Sequence, residues 1–144
     1  AISMIFDPKN PQVGQTVLPV HRSADAVELF RFSAATWNAH RIHFDPEFAR
    51  SEGLPGSVVQ AHLHGAWLAQ VARTVAGPGA RLQRLAWSNR APVAAGEMVT
   101  VDAIVAAVDE TDGVPSVTMD LVESNAAGAK CVTGSATVVL GVQG

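Results

Sequence analysis

From Val58 to Ala76 the chain reads VVQAHLHGAWLAQVARTVA, with no proline. Val59, Leu63, Trp67, Val71 and Val75 fall on one row at i, i+4 spacing. Ala61, Ala66, Leu68, Ala69 and Ala72 leave little of the remaining girth polar. A helix that is apolar around most of its circumference has to be buried on most sides. Ser57 stands where a cap is expected, and Gly77-Pro78-Gly79 ends the segment. The rest of the chain must therefore enclose this helix.

The chain beyond this helix is strand-like. RLQRLAWSNRAP (81–92) leads across an AAG turn to EMVTVDAIVAAV (97–108), and the polar DETDG (109–113) leads to PSVTMDLVES (115–124). NAAG (125–128) then leads to AKCVTGSATVVL (129–140). Val99, Val101, Ala103, Val105 and Ala107 alternate along one face. Strand-length runs joined by short turns imply an antiparallel meander.

The first half is mixed. TVLPVHR (16–22) reads as a short edge strand, because Pro19 rules out a central ladder position. Ser23 reads as an N-cap for a helix over Ala24 to Ser33. Asp45-Pro46-Glu47 is a cap, a first-turn proline and a first-turn carboxylate, and Gly53 stops that brief helix. Such an order is α+β: one helix held by a bent antiparallel sheet, the hotdog fold, as a single domain over 1–144. The open back and edge of such a sheet lead us to expect a dimer.

Bulk properties exclude some functions. A formal net charge of −3 argues against nucleic acid. No apolar run reaches the roughly 18 residues needed to span a bilayer, so no membrane association is expected. With no basic-then-apolar leader at its start and a single cysteine, Cys131, the chain is expected to be cytoplasmic. Cys131 lies within a strand-like run and reads as a small core residue.

The chemistry concentrates in WNAHRIHFDPEFA (37–49), where His40 and His43 flank Arg41 and Ile42. Zinc, proton transfer and a surface cluster without chemistry are the alternatives. Zinc lacks a third and a fourth ligand nearby, because Asp45 serves as a cap and Cys131 is alone. His62 and His64 point about 200° apart on a regular helix, so one is expected at the helix flank and the other toward solvent or a partner. Proton transfer gains from context. The stretch precedes the amino end of the buried helix, where free N–H groups stabilise developing negative charge. A neutral imidazole such as His43 can move a proton near pH 7, and the Asn38 amide can hold water. On a regular helix Asn38 and His43 would be about 140° out of line, so their convergence requires irregular backbone. Trp37, Trp67 and Trp87 read as core or pocket wall.

SAATWNAHRIHFDPEFAR (33–50) followed by PGSVVQAHLHG (55–65) resembles the MaoC-like hydratase/dehydratase family, with a weaker echo at NRAPVAAGEMVTV (89–101). The likeness is to the branch containing mesaconyl-CoA hydratases and the mitochondrial 3-hydroxyacyl-thioester dehydratase. It implies a hotdog fold and reversible hydration of a trans-2-enoyl thioester, with CoA as substrate carrier and no other cofactor. In the family motif D-x-N-P-I-H, an Asp and a His activate water. Carried over, the His is His43, the Ile is Ile42, the Asp position is Asn38, the Asn position is His40 and the Pro position is Arg41. The amides that hold the thioester oxygen fall near Gln60 and Ala61. An amide at 38 cannot act as a base. The expectation is that His43 is the main acid/base, His40 its helper or the second proton carrier, and Asn38 the group that orients the water or His43. Arg41 is a candidate for a substrate carboxylate or phosphate and also for a structural ion pair, and Arg90 is a candidate for the acyl-CoA. The expected assembly is a homodimer or a hotdog heteromer. Two rivals remain: a non-catalytic or acyl-binding subunit, which the amide at 38 keeps open, and a hotdog thioesterase, for which Glu52 is the nearby carboxylate.

Overall fold

The structure is a computed structural model that describes residues 4–141. Strand β1 (Val20–Arg22) is followed by helix α1 (Ala26–Thr36), a 3₁₀ turn (Arg41–His43), α2 (Pro46–Ser51) and α3 (Ala61–Ala76). Four further strands follow among the described residues: β2 (Arg81–Asn89), β3 (Val99–Thr111), β4 (Val114–Asn125) and β5 (Lys130–Val139). They form one antiparallel five-stranded sheet in the order β1-β3-β4-β5-β2. Helix α3 packs on it against β2, β5 and β3. This is the expected α+β hotdog arrangement.

Only β3, β4 and β5 form a meander. The 81–92 run does not pair with the next run; it crosses to the far edge and pairs with β5. The link after it is engaged elsewhere. The carbonyl of Val93 accepts from the Val59 N–H (2.8 Å), and the Ala95 N–H donates to the Ser57 carbonyl (2.8 Å). Those bonds also delay α3. Val58 and Val59 are extended, so the helix begins at Ala61 with Gln60 as N-cap instead of following a Ser57 cap. Likewise α1 is capped by Asp25, not Ser23: the Asp25 carboxylate accepts from the Glu28 N–H while Glu28 reaches back to the Asp25 N–H. The 16–22 strand shrinks to Val20–Arg22 and isolated bridges from Thr16 to Ile5 and to Ile104, on either side of Pro19.

Alternation on β3 is clear: Val99, Val101, Ala103 and Val105 are buried, and Asp102, Ile104 and Ala106 are exposed. A register shift between Val105 and Ala107 takes Ala107 off the buried row. The β3–β4 strands run closer to the hairpin tip than DETDG suggested. Asp112 (φ 52°) and Gly113 (φ 76°) alone make the turn, both in the left-handed region that a two-residue hairpin requires.

Helix α3 is less enclosed than its composition implies. His64, Gly65, Trp67, Leu68, Val71, Ala72 and Ala76 are buried, but Ala61, His62, Gln70, Arg73 and Thr74 are exposed. Gly65 makes the closest approach: a Cβ there would lie 2.5 Å from Cζ2 of Trp87 on β2. Gly65→Ala is therefore expected to destabilise the protein by about 1–3 kcal/mol, the usual cost of overpacking. A lower urea midpoint with an unchanged slope would show it, and an unaltered midpoint would mean that the indole can step aside.

Candidate active site

Three short segments converge at the amino end of α3. In the first, α1 ends at Trp37 (φ 57°, ψ 34°) and the chain turns sharply. The Asn38 N–H bonds back to the Ser33 carbonyl (2.9 Å), and Asn38 Oδ1 accepts from the His40 N–H (3.3 Å). The second segment is the 3₁₀ turn, where His40 Nδ1 accepts from the Ile42 N–H at 3.3 Å. The third is the extended Ser57–Gln60 stretch, whose Val58 N–H donates to the Ile42 carbonyl at 3.0 Å. The backbone between α1 and α2 is thus not α-helical and holds a single 3₁₀ turn, which is the kind of irregularity that convergence of Asn38 and His43 requires.

His43 is buried, and its Nδ1 lies 2.8 Å from the Val58 carbonyl oxygen. A carbonyl only accepts, so Nδ1 carries the proton, and in the neutral ring Nε2 carries the lone pair. Burial pushes the His43 pKa below 6.5; the Val58 hydrogen bond acts against this, and the neighbouring His40 adds to it. The ring is therefore neutral at pH 7, of fixed tautomer, and tethered two residues before the N-cap of α3. Just beyond, the Leu63 and His64 N–H groups bond back to the Gln60 carbonyl, while those of Ala61 and His62 belong to the first turn, which an α-helix leaves without intrahelical acceptors. The His40 and His43 rings meet edge-on with centroids 6.0 Å apart, and His40 is exposed.

The other expected residues take varied places. Arg41 bonds Asp45 Oδ2 through Nε (3.2 Å) and Nη2 (2.7 Å), and its guanidinium lies 4.4 Å over the Phe48 ring. The hydrogen bond from Arg41, followed by that from the Phe48 N–H, holds the Asp45 carboxyl below its usual pKa. Gln60 is fully buried, and its Nε2 donates to the Leu29 carbonyl (2.7 Å) and to Ser33 Oγ (2.9 Å), so its side chain ties α3 to α1. Ala61 accepts at its carbonyl from Trp87 Nε1 (3.0 Å). Arg90, just after β2, is exposed, and its Nε donates to Thr133 Oγ1 at 2.9 Å. Trp67 is buried, but Trp37 is 91% exposed and belongs to no core.

One pair was not foreseen. His64 Nδ1 lies 2.6 Å from Glu123 Oε2, both side chains are buried, and Glu123 Oε1 has no partner among the described residues. Position 123 continues the inward row Val117, Met119, Leu121 on β4, which is the sequence signal for it.

Residues 6–95 match the hydroxyacyl-thioester dehydratase type 2 family. The chain belongs to that family. The stretch with both histidines and the start of α3 lies inside the match. A mesaconyl-C(4)-CoA hydratase from Chloroflexus aurantiacus is 45% identical over 67 residues, which are 46% of this chain and 22% of that protein. The match thus spans about a fifth of that relative's length. Among solved structures, the (R)-hydratase from A. caviae involved in PHA biosynthesis superposes with a TM-score of 0.79 at 26% identity, covering 90% of this chain and 96% of that one. The ChsH1–ChsH2 complex from Mycobacterium tuberculosis gives a TM-score of 0.80 at 21% identity over 90% of this chain and 98% of that one, a likeness of fold. The dehydratase family and the hotdog sheet agree with the resemblance drawn from 33–65.

Proposed function

We propose that this dehydratase-family chain catalyses reversible hydration of an enoyl thioester carried on CoA. The supporting observation is the tether of His43 Nδ1–H to the Val58 carbonyl, which leaves a neutral ring with a basic Nε2 beside the amino end of α3. In the hydration direction Nε2 removes a proton from water as the water oxygen bonds to C3 of the enoyl group. The C2=C3 electron pair becomes a C1=C2 bond as the C=O pair moves onto the thioester oxygen, giving an enolate. Negative charge there is stabilised by the first-turn amides of α3 at Ala61 and His62. The enolate then takes a proton at C2 from the His43 imidazolium or through His40, and the thioester carbonyl is restored. Dehydration is the same path reversed. Asn38, fixed by its own turn, orients the water. No cofactor beyond the CoA carrier is required, and a homodimer or hotdog heteromer in the cytoplasm is the setting proposed for the reaction.

The test is to mix the purified chain with crotonyl-CoA and follow the loss of enoyl absorbance. Turnover by the chain alone supports the reading, and its absence with and without any second protein rejects it. Turnover only with a second hotdog chain supports the other reading, a non-catalytic or acyl-binding subunit. That alternative is favoured by the amide at 38, where the family motif has a carboxylate, and by a structural neighbour that is itself a two-protein complex. Release of free CoA thiol would instead mark a thioesterase, whose carboxylate would have to be Glu52, exposed at the end of α2.

A further inference from the structure

Trp37 is placed as no core residue is. It is 91% exposed, and with Asp112 it is one of two non-glycine residues at positive φ among the described residues. A helix commonly ends on glycine in this conformation, and a bulky side chain holds it only at a cost. Strain of this kind, kept together with an exposed indole, points to a use for the ring. Trp37 walls an apolar cleft of about 190 Å³ together with Phe30, Ala34 and Phe44, with Ser33 and Asn38 beside them. Phe30 and Phe44 meet edge-on there, and both are exposed. Trp37 and Asn38 also wall a second cleft, which reaches Thr36 and His62 in the first turn of α3.

We infer that the first cleft binds the acyl chain and selects an apolar one, with Trp37 as the platform between thioester and tail. This rests on the proposed reaction and names its substrate class. A thioester oxygen held by the Ala61 and His62 amides lies at the second cleft, and the shared wall of Trp37 and Asn38 leads the tail into the first. Among the described residues no cationic side chain lines the apolar cleft. The nearby Arg41 guanidinium is already paired with Asp45 and stacked on Phe48. A free carboxylate laid against these apolar walls would find no counter-ion on them. The chain is thus built for an aliphatic acyl group, although its relative is named for the dicarboxylic mesaconyl thioester.

Calorimetric titration with saturated thioesters tests this without requiring turnover. Each buried methylene strengthens binding by roughly fourfold. Octanoyl-CoA is therefore expected to bind at least about tenfold more tightly than acetyl-CoA, and succinyl-CoA no more tightly than acetyl-CoA. Trp37→Ala and Phe30→Ala should each lower the octanoyl-to-acetyl ratio severalfold, and since both side chains are exposed, neither change empties the core. A dissociation constant independent of chain length overturns the inference, as does tighter succinyl-CoA binding or an equal loss for every thioester in both variants. So does sedimentation showing that the variants turn a dimer into monomers, because a second copy would then cover the cleft. Failure of the crotonyl-CoA assay alongside a steep chain-length series would reject the reaction and retain the acyl site.

Discussion

His43→Gln is expected to lower the turnover of crotonyl-CoA hydration by roughly a hundred- to ten-thousand-fold, the usual contribution of a placed general acid or base. Glutamine is the informative replacement. Its amide can still donate toward the Val58 carbonyl, which now receives Nδ1–H at 2.8 Å, but it offers no basic atom in place of Nε2. The comparison therefore separates the proton carrier from the structural tether, and circular dichroism with a urea midpoint would establish that the fold persists. The pH profile adds an independent signature. Burial lowers the His43 pKa below 6.5, so the basic form fills at lower pH than for a free histidine. kcat/KM for hydration should rise with pH through that depressed value and stay level above it, and His43→Gln should lack the rise. Stability is linked to the same group. Between the depressed folded pKa and the unfolded value near 6.5 the unfolded chain binds more protons, so this contribution is complete above the unfolded pKa and is lost as pH falls through the folded one. A variant that keeps wild-type turnover would remove His43 from the reaction.

Local patterns announced the elements, and distant partners decided their limits. The period-two row of β3 and the Asp45-Pro46 helix start needed no information beyond their own residues. The start of α3 did. Val58 and Val59 look helical in continuity with 61–76, but their backbone is bonded to Ile42 and Val93. The position of β2 beyond β5 was equally hidden, because turn lengths say which strands are consecutive and not which edge a strand joins. At the site, the Asp45 cap marked where the turn holding His40 and His43 had to end. The destinations of the side chains were legible only in part. The structural ion pair offered as one reading of Arg41 forms with Asp45, four residues on, whereas Gln60 reaches Leu29 across 31 positions. Of the two places expected for Trp37, core or pocket wall, it takes the second; its 91% exposure was hidden because nothing local in TWNAH fixes a left-handed φ on the tryptophan.

Removing either partner of the His64–Glu123 pair alone is expected to destabilise the fold by about 3–5 kcal/mol, the usual cost of stranding one member of a buried ionisable pair. In a chain of 144 residues that lowers the melting temperature on the order of 10 °C. The arrangement explains why the loss is large. Glu123 sits on β4 between Val101 of β3 and Val132 of β5, with its side chain fully buried, and His64 reaches it from α3 at 2.6 Å. Its Oε1 is already without a partner among the described residues, so His64→Leu would leave both carboxylate oxygens dry and unpaired. Glu123→Leu would orphan His64 Nδ1 in the same interior. The double change to leucine should recover most of the loss, because two apolar side chains at this depth require no hydrogen bonds. Urea unfolding of the four proteins closes a double-mutant cycle, and a coupling energy near zero would show that the two groups merely lie close. His64 and the amides of Ala61 and His62 share the first turns of α3, so the pair ties that helix end to β4. Crotonyl-CoA turnover in the double variant, measured well below its melting point, then asks whether the sheet contact positions the thioester-binding turn or only holds the core.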